Sequence, residues 1–459
     1  MPDSQSAARL DGGIGRCHPR VNCCGPHLLG YSKSEGVRGI PLLMVLSGVG
    51  TLLDRVGLAS STPRQRRWHV QAIRVALTSL LVTMPAGLVL QGQPSDLRVY
   101  RAGGYAWLHD VGLYSSDFFG LTDGLHLPFV YPPLAAVLFA PMTAVPWPLI
   151  QLLFTAAGMA ALAVTAYIAA RRIYGRTSLA PLVATLVTAC WLLFEPSRET
   201  VSWGQVNLIL MGMVAADCLL PRTRWPRGVL LGLAAAIKLT PAVFGLYFLL
   251  RRQYKAAGVS AASFAGFGLI GFALAPADSV RFWTDKLFDD RVGIGYYANQ
   301  GVRAVLHRFD LAVATELTLW AVAACGLLVL ALVAARRAVH ANQHVTAVLA
   351  IAVWSLLSSP ISWSHHWVWI VVAAVALPHV LARSGPVTWC LVAGAMLVFV
   401  TGPPQLGSVE PGWLESILVS PYLFVGVGLL IAFVVRLPRR GNLAHSREQH
   451  VRSSQPVAG

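Results

Sequence analysis

Runs of uncharged, apolar residues about as long as a bilayer is thick recur between residues 73 and 436, and no other feature constrains this chain as strongly. A helix needs about 20 such residues to cross the hydrocarbon core. In lipid it is also the form that satisfies its own backbone polar groups. Spans are expected near 73–91, 148–170, 179–194, 205–221, 256–275, 310–335, 344–358, 366–383, 386–402 and 416–436. The chain is 55% hydrophobic and 12% charged, about half the charged share of an ordinary soluble domain. The fold class is an all-α polytopic membrane protein.

The net charge of +16 raises the question of a nucleic-acid partner. Position answers it. The arginines gather in "RQRRWHVQAIR" (64–74), at Arg171/Arg172/Arg176, Arg222/Arg224/Arg227 and Arg336/Arg337, and in the tail from Arg436. This is the positive-inside pattern, with anionic lipid headgroups as the partner and no nucleic acid. The outward segments are then 92–147, 195–204, 276–309, 359–365 and 403–415. The first of them carries Asp96, Asp110, Asp117 and Asp123 against Arg98 and Arg101.

Two segments break the alternation. "GVLLGLAAAIKLTPAVFGLYFLLRRQYK" (228–255) is basic at both ends, with Pro241 and Lys238 in its middle. Pro241 interrupts a helix, and Lys238 in lipid costs about 2.5–3.5 kcal/mol or more. Two half-helices that dip in and return keep both ends on the cytoplasmic side. "YPPLAAVLFAPMTAVPW" (131–147) is likewise broken by proline and is expected to pack against the bundle near the outer face.

Residues 1–62 read as a disordered or interfacial extension that includes the short apolar stretch 39–53. Residues 63–440 form the transmembrane domain, and 441–459 a disordered cytoplasmic tail. Cys17, Cys23, Cys24 and His27 match no zinc spacing, and no metal is expected. Cys190, Cys218, Cys325 and Cys390 fall in or beside apolar runs, where a thiol acts as a small hydrophobe.

The polar residues that lipid would not tolerate concentrate on the outward side. Asp96 lies just beyond the first span and admits two readings: a helix N-cap, or a general base near the membrane surface. Tyr131 offers a phenol where interfacial tyrosines serve as anchors. In "EPSRETVSWGQVNLIL" (195–210), Gln205 and Asn207 are amides at the start of a span, either interhelical glue or sugar ligands, with Trp203 beside them. Lys238 needs a counter-charge, which Asp217 or a ligand phosphate would supply. "YYANQGVRAVLHR" (296–308) adds Asn299, Gln300 and Arg303; "SPISWSHH" (359–366) adds Trp363, His365 and His366. The two histidines either bind ligand or hydrogen-bond at a helix start. No Asp-x-Asp pair, Walker loop or dinucleotide fingerprint occurs. An outward site without nucleotide machinery needs a donor that arrives in the membrane.

Six stretches resemble glycosyltransferase family 87 in order: "DLRVYRAGG", "FVYPPLAAVLFAP", "WGQVNLIL", "GLAAAIKLTPAVFGLYFLLRR", "NQGVRAVLHR" and "SPISWSHHW". The resemblance spans roughly residues 70–440 and leaves the N-terminal extension outside. It implies the GT-C architecture, a bundle of about 10–13 transmembrane or half-spanning helices with an extracytoplasmic first loop. It also implies a multi-pass plasma-membrane enzyme that uses no cofactor beyond its lipid-linked donor. The implied reaction is inverting transfer of mannose from polyprenyl-phosphate-mannose to a phosphatidylinositol mannoside or lipid-anchored mannan, forming α-(1,2) linkages.

On the same resemblance Asp96 is the general base. His365, His366, Lys238, Arg303, Tyr131, Gln205 and Asn207 would meet the donor phosphate or sugar. Tyr100, Trp203, Asn299, Gln300 and Trp363 would meet the acceptor. Transfer of a pentose such as arabinofuranose from a polyprenyl phosphate keeps the same architecture. A lipid-linked sugar flippase is the non-enzymatic alternative. It would favour inverted repeats and midplane polarity, whereas here polarity gathers outside.

Overall fold

The computed structural model describes residues 94–175, 177–288, 293–382, 384–402 and 413–436, together with Val75. The extension 1–62 with Cys17, Cys23, Cys24 and His27, the span expected at 73–91 apart from Val75, and the tail 441–459 lie outside the described residues. Among the described residues the regular structure is helical, with one isolated β-bridge between Asn299 and Trp363.

The chain order begins with α1 (Ser95–Leu108), α2 (Pro133–Phe139), α3 (Trp147–Tyr174) and α4 (Leu179–Ala189). Next come α5 (Glu195–Ser202), α6 (Asn207–Leu219), α7 (Val229–Ile237), α8 (Gly245–Leu250), α9 (Tyr254–Leu274) and α10 (Pro276–Thr284). It closes with α11 (Val302–Arg308), α12 (Val313–His340), α13 (His344–Ser358), α14 (Ile370–Leu381), α15 (Pro386–Thr401), α16 (Trp413–Leu418) and α17 (Pro421–Arg436).

α3, α9 and α12 are each long and apolar enough to cross a bilayer. Their surroundings differ. The most apolar window of α3 is 61% buried, whereas those of α9 and α12 are 11% buried. A helix apolar all round and covered on most faces belongs to the middle of a bundle. α3 packs there against α4, α6 and α14. α9 and α12 present Leu269, Ile270, Val322 and Val329 outward, as lipid-facing helices do. Small residues let the central helices approach closely: Ala163, Ala166, Ala169 and Ala170 of α3 and Ala334, Ala335 and Ala338 of α12 are fully buried.

Proline and glycine set the interruptions. Pro148 stands in the first turn of α3, where its missing N–H costs nothing, and Gly175 ends that helix at φ +65°. Arg171 and Arg172 occupy its last turn, where cations complement the carbonyl end. α5 and α6 meet at a bend of 118°. The segment 131–147 is α2 followed by a 3-10 turn, lying against α1 and α9.

The segment 228–255 folds as a hairpin. α7 ends where Lys238 turns extended (φ −148°, ψ 125°), a 3-10 turn covers Thr240–Phe244, and α8 returns. Arg227 before α7 and Arg251 after α8 both lie within electrostatic reach of Arg172, so the two ends share one end of the bundle. The leg α7 has nine residues, about 14 Å of helix and half the thickness of the hydrocarbon core. Gly232 makes this leg possible: a Cβ there would stand 2.6 Å from Ser260 O in α9.

Asp217 is not the counter-charge to Lys238. Its carboxylate accepts hydrogen bonds from Trp225 Nε1 (2.7 Å), Gly228 N (3.0 Å) and Leu231 N (2.8 Å), capping the start of α7. Lys238 is at the other end of that helix, with Asp96 as its neighbouring carboxylate.

Candidate active site

α1 starts at Ser95 behind Pro94, which takes the N-cap position, so Asp96 falls in the first helical turn and caps nothing with its side chain. The Asp96 N–H donates to Trp203 O at 3.0 Å, tying α1 to the α5–α6 bend. Gly204 permits that approach. It adopts φ +67°, and a Cβ on it would stand 2.7 Å from Leu97 Cβ. The bend therefore brings Gln205 beneath the Asp96 carboxylate, to which its side chain hydrogen-bonds.

Gln205 also accepts hydrogen bonds from Tyr100 Oη at 3.0 Å and Tyr131 Oη at 3.3 Å. Its Oε1 thus serves the two phenols, leaving Nε2 to donate to Asp96. Tyr100 and Tyr131 are buried, with their hydroxyls 3.0 Å apart. Asp96 itself stays half-buried. Burial raises its pKa from the ordinary 3.8 to about 6, against the opposing pull of Lys238 and the Gln205 hydrogen bond. A carboxylate poised there is charged at neutral pH yet basic enough to take a proton.

The tip of the hairpin supplies the cation. Lys238 Nζ donates to Asn207 Oδ1 at 3.0 Å and lies 3.2 Å from His366 Nε2. It also stands 5.6 Å from the centroid of the Tyr131 ring, a cation–π distance. Among the described residues, two of its three ammonium protons are thereby engaged and one remains. The backbone carbonyl of His365 is held by Thr200 Oγ1 at 2.7 Å and Asn207 Nδ2 at 3.1 Å. These bonds fix the 3-10 turn Ser364–Trp369 that carries both histidines. His365 is buried, and its Nε2 has no hydrogen-bond partner among the described residues. Trp203, 42% exposed, faces it across 6.4 Å.

Asp96, Tyr131, Gln205, Asn207, Lys238, His365 and His366 thus belong to one site. Trp203 borders it across from His365, and the other sequence candidates lie elsewhere or face inward. Arg303 is buried and pairs with Glu316 at 2.9 Å, and the second Glu316 oxygen takes His307 Nδ1 at 2.9 Å. Asn299 bonds the backbone of Ile294, Gly301, Pro360 and Ser362. Gln300 bonds that of Tyr297, Val419 and Tyr422. Both amides are fully buried, so they staple three loops together and offer no surface to an acceptor. Tyr100 is enclosed behind Asp96 in the same way. Trp363 packs on Gly293 and lies 5.5 Å from the Tyr296 ring. Thr200 carries no signal of its own in the sequence; its role comes from the α5–α6 bend.

A cavity of about 60 Å³ opens beside Lys238 and His366. Asn207, Leu210, Met211 and Val214 line it from α6, spaced as a single helix face. Phe244 of the hairpin and Ser355, Leu356 and Ser359 at the end of α13 complete the wall. The slot is polar where it meets the lysine, apolar along the α6 face and at Phe244, and carries the hydroxyls of Thr240, Ser355, Ser359 and Ser362.

These features define an integral membrane protein in which a carboxylate, a lysine and two histidines gather at one end of a helical bundle. The chain belongs to glycosyltransferase family 87, whose model matches residues 129–361. That match includes Tyr131, Gln205, Asn207 and Lys238, while Asp96 and the two histidines flank it. A polyprenol-phosphate-mannose-dependent alpha-(1-2)-phosphatidylinositol mannoside mannosyltransferase of Mycolicibacterium smegmatis is 39% identical over 330 residues, 67% of this chain and 75% of the relative. A protein of the same description from Mycobacterium tuberculosis is 38% identical over 298 residues, 61% of this chain and 69% of the relative. A polyprenol-phosphate-mannose-dependent alpha-(1-2)-phosphatidylinositol pentamannoside mannosyltransferase of Mycobacterium tuberculosis is 33% identical over 363 residues, 78% of this chain and 82% of the relative. The chain is a membrane-embedded glycosyltransferase.

Proposed function

We propose that this protein transfers mannose from polyprenyl-phosphate-mannose to a hydroxyl of a phosphatidylinositol mannoside on the extracytoplasmic side of the plasma membrane, with inversion to an α-(1,2) linkage. The observation that carries the reading is the convergence of Asp96, Gln205, Lys238 and His366, from four separate segments, on one site beside a slot with one apolar wall.

In this reaction Asp96 takes the proton of the acceptor hydroxyl. The oxygen attacks the anomeric carbon as the bond from that carbon to the phosphate oxygen breaks, and polyprenyl phosphate departs with its electron pair. Negative charge accumulates on the departing phosphate, where Lys238 and the histidines are suited to stabilise it. Gln205 orients the carboxylate, and the tyrosine pair holds Gln205. The slot along α6 is chemically matched to a prenyl chain, with the phosphate at its lysine end. Arg172, Arg227 and Arg251 gather at the end of the hairpin away from Lys238, which supports an outward-facing site by the positive-inside rule.

The donors named for the relatives favour mannose over arabinofuranose. A donor panel tests this: membranes containing the protein, given a phosphatidylinositol mannoside acceptor, should use polyprenyl-phosphate-mannose and not the arabinofuranosyl donor, and yield an α-anomeric product by NMR. Preferential pentose transfer, or a β-linked product, would overturn the assignment.

A further inference from the structure

Away from the site, three arginines converge where α3, α6 and the two ends of the hairpin meet. Arg172 Nε donates to Leu219 O, and Arg227 reaches Asp217 O, Leu220 O (2.7 Å) and Pro221 O (3.2 Å), all at the carbonyl end of α6. Arg251 stands 5.5 Å from the centroid of the Tyr247 ring and donates to its hydroxyl at 3.3 Å. Arg172 lies within electrostatic reach of both of the others. Among the described residues, none of the three forms an ion pair with a carboxylate, and Asp217 is occupied in capping α7.

Like charges gathered in a partly dehydrated place need an anion. Among the described residues the guanidinium of Arg172 uses one of five donors, and that of Arg251 uses one. Beside them His344, 8% exposed, opens α13; its ring lies 6.2 Å from that of Tyr247, within electrostatic reach of Arg251 and Arg172. Its Nδ1 is buried with no hydrogen-bond partner among the described residues. A second unpartnered polar group thus adjoins the spare guanidinium donors. Next to Arg251, Leu249 and Tyr254, the first residue of α9, present exposed apolar surface.

We infer that Arg172, Arg227, Arg251 and His344 form a binding site for the phosphate of an anionic membrane lipid, whose acyl chains lie against Leu249 and Tyr254. Basic pockets between helices at this membrane face recognise lipid phosphates in this way. Arg227 and Arg251 hold the two ends of the hairpin, so one phosphate between them braces the element whose tip carries Lys238. The site is distinct from that of the sugar donor and does not depend on which sugar is transferred.

The purified full-length protein in nanodiscs tests this. Nanodiscs of phosphatidylcholine doped with phosphatidylinositol or cardiolipin should raise the Tm by several degrees over pure phosphatidylcholine. Native mass spectrometry should retain one anionic lipid per chain. Arg251→Gln should weaken that retention at least tenfold, whereas Arg252→Gln, an exposed neighbour, should not. Should Arg251→Gln fail to fold, the wild-type comparison of lipids still decides. Equal stability in neutral and anionic lipid, or full retention by Arg251→Gln, would overturn the site. Equal stabilisation by inorganic phosphate in neutral nanodiscs would overturn the lipid assignment in favour of a free anion.

Discussion

Lys238 Nζ and His366 Nε2, 128 positions apart in the chain, lie 3.2 Å from each other, joining the hairpin tip to the turn after α13. Lys238→Met preserves much of the side chain's bulk and removes its charge. It should lower kcat/KM for transfer by about 10²–10³, the cost of losing one preorganised charge at a developing anion. Expression and Tm should change little, because a half-buried charge also costs desolvation. Steady-state kinetics in membranes, with protein quantified by blot, checks both halves.

The pH profile should report Asp96. Its carboxyl titrates at about 6, so the base form fills as pH rises through that value and empties below it. Transfer should therefore fall about tenfold per pH unit below pH 6. Stability carries the opposite sign. A carboxyl whose folded pKa is raised favours the folded state at low pH, and loses that contribution as pH rises from 3.8 through about 6. Activity lost at pH 5 should accordingly return on neutralisation, with no unfolding attributable to this group. Rates and circular dichroism across pH 4.5–8 test it.

Gln205 connects the carboxylate to two buried phenols. Gln205→Leu leaves Tyr100 and Tyr131 without their shared acceptor, at a cost of about 1–3 kcal/mol in stability. It also removes a hydrogen bond that lowers the Asp96 pKa, so the acidic limb of the profile should move to higher pH. A thermal melt with a pH–rate profile of the variant reads both effects. An unmoved limb would separate Gln205 from the base.

Much of this was legible in the sequence because lipid punishes exceptions. The apolar runs mark α3, α6, α9 and α12, and Lys-Leu-Thr-Pro (238–241) within such a run marks the hairpin tip. Gln205 and Asn207 stood out because amides seldom open a span without a partner. The less legible residues were those whose meaning depends on what they face. Asn299 and Gln300 look like sugar ligands in composition, yet both are spent on backbone groups of neighbouring loops. Arg303 looks like a phosphate ligand until the fold delivers Glu316 from the start of α12. Asp217 is near Lys238 in sequence but at the opposite end of α7. The Asp96 side chain was ambiguous between cap and base until Pro94 took the cap position.

The account rests on Asp96 as the base, and one substitution tests that directly. In membranes supplied with polyprenyl-phosphate-mannose and a phosphatidylinositol mannoside, Asp96→Asn should reduce transfer by about 10²–10⁴ at unchanged protein level and Tm. Turnover within a fewfold of the wild type, with the same pH profile, would contradict it.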